Sequence, residues 1–195
     1  SAARMLRRNR LARPKQGFYL ILRPEDRSAG GPDSARWIDP LMHHLGVDYR
    51  ISLLRAAALF GASHQAAQVF QVIVPKQIRI ISVGRQRIQF VYQRPQVFAK
   101  TNQAPWLGQL KTDAGFAKVA GIELVLLDAV RYFHQAAGLN GAAQIVFQFE
   151  QLDCLLVHRS VKQLELTLPL RFGAVHGDVG VPQDIFGTLI MRGAY

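Results

Sequence analysis

Asp48 to Pro75 reads DYRISLLRAAALFGASHQAAQVFQVIVP, and a change of period inside it sets the fold class. Leu54, Ala58 and Gly61 share one helical face with Leu53, Ala57 and Phe60 beside them. Ser52 is placed to cap the start and Gly61 to end the last turn. Beyond the polar stretch Ala62 to Gln68 the period becomes two, with Phe70, Val72 and Val74 on one face and Val69, Gln71 and Ile73 on the other. Pro75 then removes a backbone donor and ends the run. A short helix thus feeds a half-buried strand. The alanines Ala56 to Ala58 let that helix lie close against a sheet, which predicts a packed α-on-β nucleus.

Working outward, 195 residues suffice for one full core and an appendage. The chain is 49% hydrophobic and 19% charged, as globular proteins are, and no stretch approaches the ~18 uncharged apolar residues of a membrane span. No leader pattern opens it, and the single Cys154 cannot close an internal disulfide, so a soluble protein of the reducing cytoplasm is expected. The net charge of +11 is unevenly placed. Residues 1–23 hold Arg4, Arg7, Arg8, Arg10, Arg13, Lys15 and Arg23 and no acid, leaving +4 for the other 172 residues. Clustered guanidinium groups suit phosphate contact, because they are always charged and grip phosphate oxygens in a fork. Nucleic acid is therefore ranked ahead of a solvated tail or an acidic-lipid contact, with Arg4, Arg7, Arg8, Arg10, Arg13 and Lys15 as the candidate DNA-binding residues.

In Ser1 to Arg10, Ala2, Met5 and Leu6 share a face, as at the end of an amphipathic helix. Leu11 to Arg13 and Phe18 to Leu22 flank Pro14-Lys15-Gln16-Gly17, a hairpin with a basic tip. A basic helix followed by such a hairpin is the layout of the last helix and wing of a winged helix-turn-helix; a frayed helix and hairpin packed on the main domain fits the same residues. Pro24 to Asp33 is dense in Pro, Gly, Ser and Asp. The expected organisation is a partial winged helix-turn-helix over 1–23, a linker over 24–35, and an α+β domain over 36–195.

Within that domain, Trp37, Ile38, Leu41, Met42 and Leu45 recur at helical spacing, with Asp39 near the start and Gly46 after the end. His43 and His44 are adjacent and diverge, which suits a solvent-facing or capping role better than a metal site. Gln77 to Val83 and Arg87 to Gln93, joined by Gly84-Arg85-Gln86, predict a β-meander with Val69 to Val74. Arg79, Arg85, Arg87 and Arg94 would lie on its outer side. Residues 95–118 are polar and turn-rich and yield no assignment. Gly121 to Phe133 reads as a largely buried helix, and Ala136 to Gly141 breaks it before another marked by Ile145, Phe149, Leu152 and Leu156. Leu164, Leu166, Leu168, Leu170 and Phe172 alternate with polar residues as an edge strand; a glycine-rich loop, Gly173 to Pro182, and an apolar segment, Ile185 to Met191, follow.

Catalytic patterns are sparse. A Walker loop and a dinucleotide fingerprint are missing, and His176-Gly177-Asp178 is a glycine-rich turn without the further ligands a metal needs. Cys154 and His158 are spaced i, i+4, the minimum for an activated thiolate, but among apolar neighbours that favour an inert thiol. Glu123 with Asp128, and Glu150 with Asp153, lack the lysine of a metal nuclease. Binding ranks above catalysis, no cofactor is expected, and the alternative is an enzyme such as a nuclease or a Cys154/His158 hydrolase.

Ser52 to Val74, SLLRAAALFGASHQAAQVFQVIV, resembles the AbiEi family of antitoxins, bacterial transcriptional regulators of type IV toxin-antitoxin systems. Arg13 to Leu22 (RPKQGFYLIL) looks like that family's wing strand, and Trp37 to Gly46 (WIDPLMHHLG) is similar to its next helix. Glu123 to Tyr132 and Ala137 to Asn140 resemble its L-x-L-L-D-x-V-R-Y and A-G-L-N elements. The resemblance implies an α+β domain with a mixed or antiparallel sheet packed with helices, preceded by the remnant of a winged helix-turn-helix that begins inside its recognition helix. It further implies a DNA operator and a nucleotidyltransferase-like toxin as partners. Gly121-Ile122 stands where the family has Ser/Thr-Pro, Val161 to Phe172 is strand-like where it has a helical tail, and His64 has no assigned chemistry.

Overall fold

A computed structural model describes residues 2–61 and 69–152, with side chains for all of these but 150–152. His64, Asp153, Cys154, His158, His176, Asp178 and the segments Val161 to Phe172, Gly173 to Pro182 and Ile185 to Met191 lie outside the described residues, as does the side chain of Glu150. The fold is α+β, as the periodicities predict. Contact density divides the chain into a first unit ending at Val125 and a second starting at Leu126.

The first unit begins with helix α1 (Ala2–Arg7) and the hairpin β1 (Leu11–Lys15) and β2 (Phe18–Ile21). Helix α2 (Ser34–Leu45) follows, and its limits have local causes. The Asp33 side chain accepts from the Ala35 N–H, and Gly46 takes the left-handed conformation (φ 62°) that lets its N–H return to His43 and Met42. The start is therefore Asp33, six residues ahead of Asp39; the spacing signal missed it because Ser34 and Ala35 are buried without being large. Trp37, Ile38, Leu41 and Met42 face inward, and α2 packs across the sheet over β6 and β8.

That sheet has six strands in the order β5-β6-β4-β3-β8-β7, with β3 (Arg50–Ile51), β4 (Phe70–Val74), β5 (Ile81–Val83), β6 (Gln86–Tyr92), β7 (Leu107–Thr112) and β8 (Gly115–Ala120). It is mixed. β4 pairs parallel with β6 and antiparallel with β3, while β3 pairs parallel with β8. The expected meander is corrected here: β6 and not β5 lies beside β4, and Gln77 to Ile80 crosses over instead of pairing. β4 is also buried on both faces instead of one, because it sits centrally with β3 and β6 on its flanks.

Helix α3 (Leu53–Leu59) precedes β4 as the opening stretch predicts, but a short strand the periodicity did not show, β3, comes before it, and Ser52 makes no side-chain cap bond to the helix. Leu53 instead takes a left-handed conformation (φ 57°) while fully buried. A non-glycine residue there costs about 1–2 kcal/mol, offset by the burial of its side chain. Residues 95–118 are not featureless: they form α4 (Pro95–Thr101), a 3-10 turn (Ala104–Trp106), β7 and the start of β8.

Helix α5 (Ile122–Arg131) has Glu123 in its first turn, where a negative charge meets the positive end of the helix dipole. In the second unit, a 3-10 turn (Phe133–Gln135) leads to α6 (Gly138–Leu152), which starts inside the predicted break after Ala137 (φ 62°) turns the chain. Ala142, Ile145, Val146 and Phe149 form the buried stripe of α6.

Candidate nucleic-acid interface and buried polar cluster

Each of the six candidate DNA-binding residues occupies the N-terminal arm of the first unit. α1 buries none of its residues. It is tied to the hairpin through the Arg10 N–H donating to the Met5 carbonyl (2.9 Å) and the Leu22 N–H donating to the Arg10 carbonyl (3.0 Å). The hairpin register pairs Leu11 with Ile21, Ala12 with Leu20 and Lys15 with Phe18, with an irregularity around Pro14. Leu20 and Leu22 point inward, and Phe18 stacks near Trp37 (6.5 Å between centroids) and His44 (5.5 Å). His44 Nε2 also lies 3.2 Å from the Gln16 carbonyl oxygen, so this histidine joins helix α2 to the hairpin tip.

Arg4, Arg7, Arg8, Arg10, Arg13 and Lys15 are all exposed, and none forms an ion pair among the described residues. Nearby acids are engaged elsewhere. Asp113 takes Arg23 (3.4 Å) and Arg36 (3.3 Å), Asp26 takes Arg36 (3.4 Å), and Asp33 takes Arg55 (3.3 Å). The arm therefore presents positive charge with no counter-ion among the described residues, held on hydrogen-bonded backbone. Such a surface attracts polyanions and releases their counter-ions on contact.

A second constellation escaped sequence reading. Arg50 on β3 is fully buried, and donates through Nη2 to Gln93 Oε1 (2.9 Å) and through Nη1 to Thr101 Oγ1 (3.3 Å). Its guanidinium carbon sits 5.3 Å from the centre of the Phe98 ring. On the same sheet Gln71 is also buried; its Oε1 accepts from the Leu54 N–H (3.2 Å) and its Nε2 donates to Gln89 (3.4 Å), which anchors α3 on β4. These bonds satisfy polar groups that would otherwise be costly inside a core.

Beside Arg50, Asp48 accepts from Lys118 Nζ (2.6 Å), the Tyr49 N–H (2.9 Å) and Asn102 Nδ2 (2.9 Å). Partial burial alone would raise its pKa; those bonds and the Lys118 charge outweigh it and hold the carboxyl below its usual range. Tyr49 donates to Asp39 Oδ1 (2.8 Å), and burial, reinforced by that carboxylate, raises its phenol far above the usual value. Asp39 thus anchors a tyrosine instead of starting a helix. No group of three or more His, Cys, Asp or Glu that could hold a metal occurs among the described residues, and no described helix is long and apolar enough to cross a membrane.

Residues 50–152 match the family described as the AbiEi antitoxin C-terminal domain. The match begins at the buried Arg50 and runs through the sheet into α6. No curated protein matches the chain. Three solved chains do. One is the crystal structure of an antigenic nucleotidyltransferase-like protein from Paracoccidioides brasiliensis, 13% identical, covering 81% of this chain and 86% of that one with a TM-score of 0.39. A likeness that distant bears on neither fold nor activity.

Proposed function

Given that the chain belongs to the AbiEi antitoxin family, we propose that it is a transcriptional regulator and antitoxin of a type IV toxin-antitoxin system. In this reading it binds operator DNA through its basic N-terminal arm and counteracts a nucleotidyltransferase-like toxin through the domain that follows. The family match over 50–152 carries the antitoxin half. The operator half is supported by six exposed cations on the arm that have no acid partner among the described residues.

Both halves have direct tests. The neighbouring open reading frame should encode a nucleotidyltransferase-like protein whose toxicity this chain relieves on co-expression; a neighbour of another kind, or persistent growth arrest, would refute the antitoxin role. If all six cations meet phosphates, log affinity for duplex DNA falls with log salt at a slope of about −5. A slope near zero, or no binding at low salt, removes the arm from DNA recognition.

A further inference from the structure

The hairpin of the N-terminal arm is held at its base and at its tip by different means. At the base, Leu20 and Leu22 are buried, and the Leu22 N–H donates to the Arg10 carbonyl (3.0 Å). At the tip, Gln16 and Gly17 turn the chain, and Lys15 pairs directly with Phe18. The contacts of the tip run to the last turn of α2. The Phe18 ring centre lies 5.5 Å from that of His44 and 6.5 Å from that of Trp37. His44 Nε2 is 3.2 Å from the Gln16 carbonyl oxygen, and a Cβ added at Gly17 would come 3.4 Å from His44 Cε1. One imidazole thus lies against three consecutive residues of the tip.

A carbonyl oxygen can only accept, so Nε2 carries the proton and donates. The mount is firm, because Ile38 and Leu41 of the same helix are wholly buried. His43, one residue earlier, diverges from this contact. A two-stranded hairpin alone is marginally stable in water, so a lysine beside its turn would have to be ordered at each encounter with DNA, at a cost in affinity. Lys15 is exposed and forms no ion pair among the described residues. We propose that His44 is a positioning residue for DNA binding, which acts through Gln16 and Phe18 to hold Lys15 where it meets a phosphate. The inference rests on the operator reading above.

The test uses the full 195-residue chain and a fluorescent 20-base-pair duplex, read by anisotropy across a salt series. Lys15→Gln should lower the salt slope by about 0.9 and weaken binding roughly 5- to 10-fold at 0.1 M salt. His44→Ala should do the same, and the double variant should bind no more weakly than either single one, because one phosphate contact is lost in all three. His44→Gln, which keeps an N–H to offer Gln16, should restore most of the affinity, and His43→Ala should stay within about twofold of the wild type. Should His44→Ala lose its thermal transition, His44→Phe replaces it in the same cycle, keeping a ring against Phe18 without the donor. Wild-type affinity in the His44 variant, losses that add in the double variant, or His44→Gln as weak as His44→Ala overturns the positioning role while leaving the operator reading intact. Absence of duplex binding by the wild type at low salt removes that reading and the positioning role with it.

Discussion

Replacing Arg50 with methionine keeps much of the side-chain volume while deleting the donors that reach Gln93 and Thr101 from a fully buried position. The 2.9 Å bond to Gln93 is a charge-assisted bond of good length, whereas the 3.3 Å bond to Thr101 is long. At about 1.5–3 kcal/mol for a strong bond to a charged group and less for a long one, the two together contribute about 3 kcal/mol. The cation over Phe98 adds about 1 kcal/mol. Relief of guanidinium desolvation works in the opposite direction. Gln93 Oε1 also keeps the Thr101 hydroxyl at 3.2 Å, so the amide is not wholly orphaned. The expected net loss is about 3 kcal/mol, a fall in Tm of about 6–12 °C.

Urea denaturation followed through Trp37, which is buried at 3% exposure in the same unit, measures this directly. The second half of the experiment is a cycle with Gln93→Leu. If Arg50 and Gln93 stabilise the fold as a bonded pair, the double variant should cost less than the sum of the single ones by about 1–2 kcal/mol. A loss below about 1 kcal/mol for Arg50→Met, or additivity within about 0.5 kcal/mol, would refute the idea that this pair organises the sheet.

Two glycines with the same left-handed backbone should respond differently to alanine. Gly46 (φ 62°) has open space around a new Cβ, so Gly46→Ala should cost only about 1 kcal/mol from the conformation itself. Gly84 (φ 56°) would drive a Cβ to 2.6 Å from the Gly30 backbone, so Gly84→Ala should cost at least about 2 kcal/mol more in the same urea titration. Asp48 has a lowered pKa in the fold, so its stabilisation is complete above the ordinary carboxylate value of about 4 and is lost as pH falls through the folded value. The gap between wild type and Asp48→Asn should therefore close on acidification; at an exposed pair it amounts to a few tenths of a kcal/mol, and a gap that widens instead contradicts the assignment. Tyr49 is raised, so its contribution is intact below about pH 10 and is lost as pH climbs toward the folded value. Tyr49→Phe should cost about 1–2 kcal/mol at neutral pH and lose less stability than wild type between pH 9 and about 11.

What the chain displayed openly was periodicity. Trp37 to Gly46 and Gly121 to Phe133 were readable as helices because large apolar residues recur every three or four positions and, for the first, glycine closes the end. β7 was unreadable because Gly108, Gln109 and Lys111 dilute its alternation: an edge strand buries too little to need an apolar run. Gln71 made β4 look half solvated, yet its amide is occupied by Leu54 and Gln89, a use that local pattern cannot reveal. The parallel placement of β6 beside β4 depends on a crossover whose direction no residue in Gln77 to Ile80 encodes. Of the candidate sites, the arm's charge was plain from composition, whereas Arg50 read as one more surface cation because its partners lie 43 and 51 residues away in sequence.

β3 consists of Arg50 and Ile51 alone, and across it the β4 side of the sheet meets the β7–β8 hairpin, through Ile51 beside Val119. Only a few inter-strand bonds span that line, whereas five consecutive residue pairs join β4 to β6 and six join β7 to β8. What holds the hairpin to the rest is therefore mostly side chains: α2 packs over both β6 and β8, Lys118 pairs with Asp48, and the Lys118 N–H donates to the Tyr49 hydroxyl.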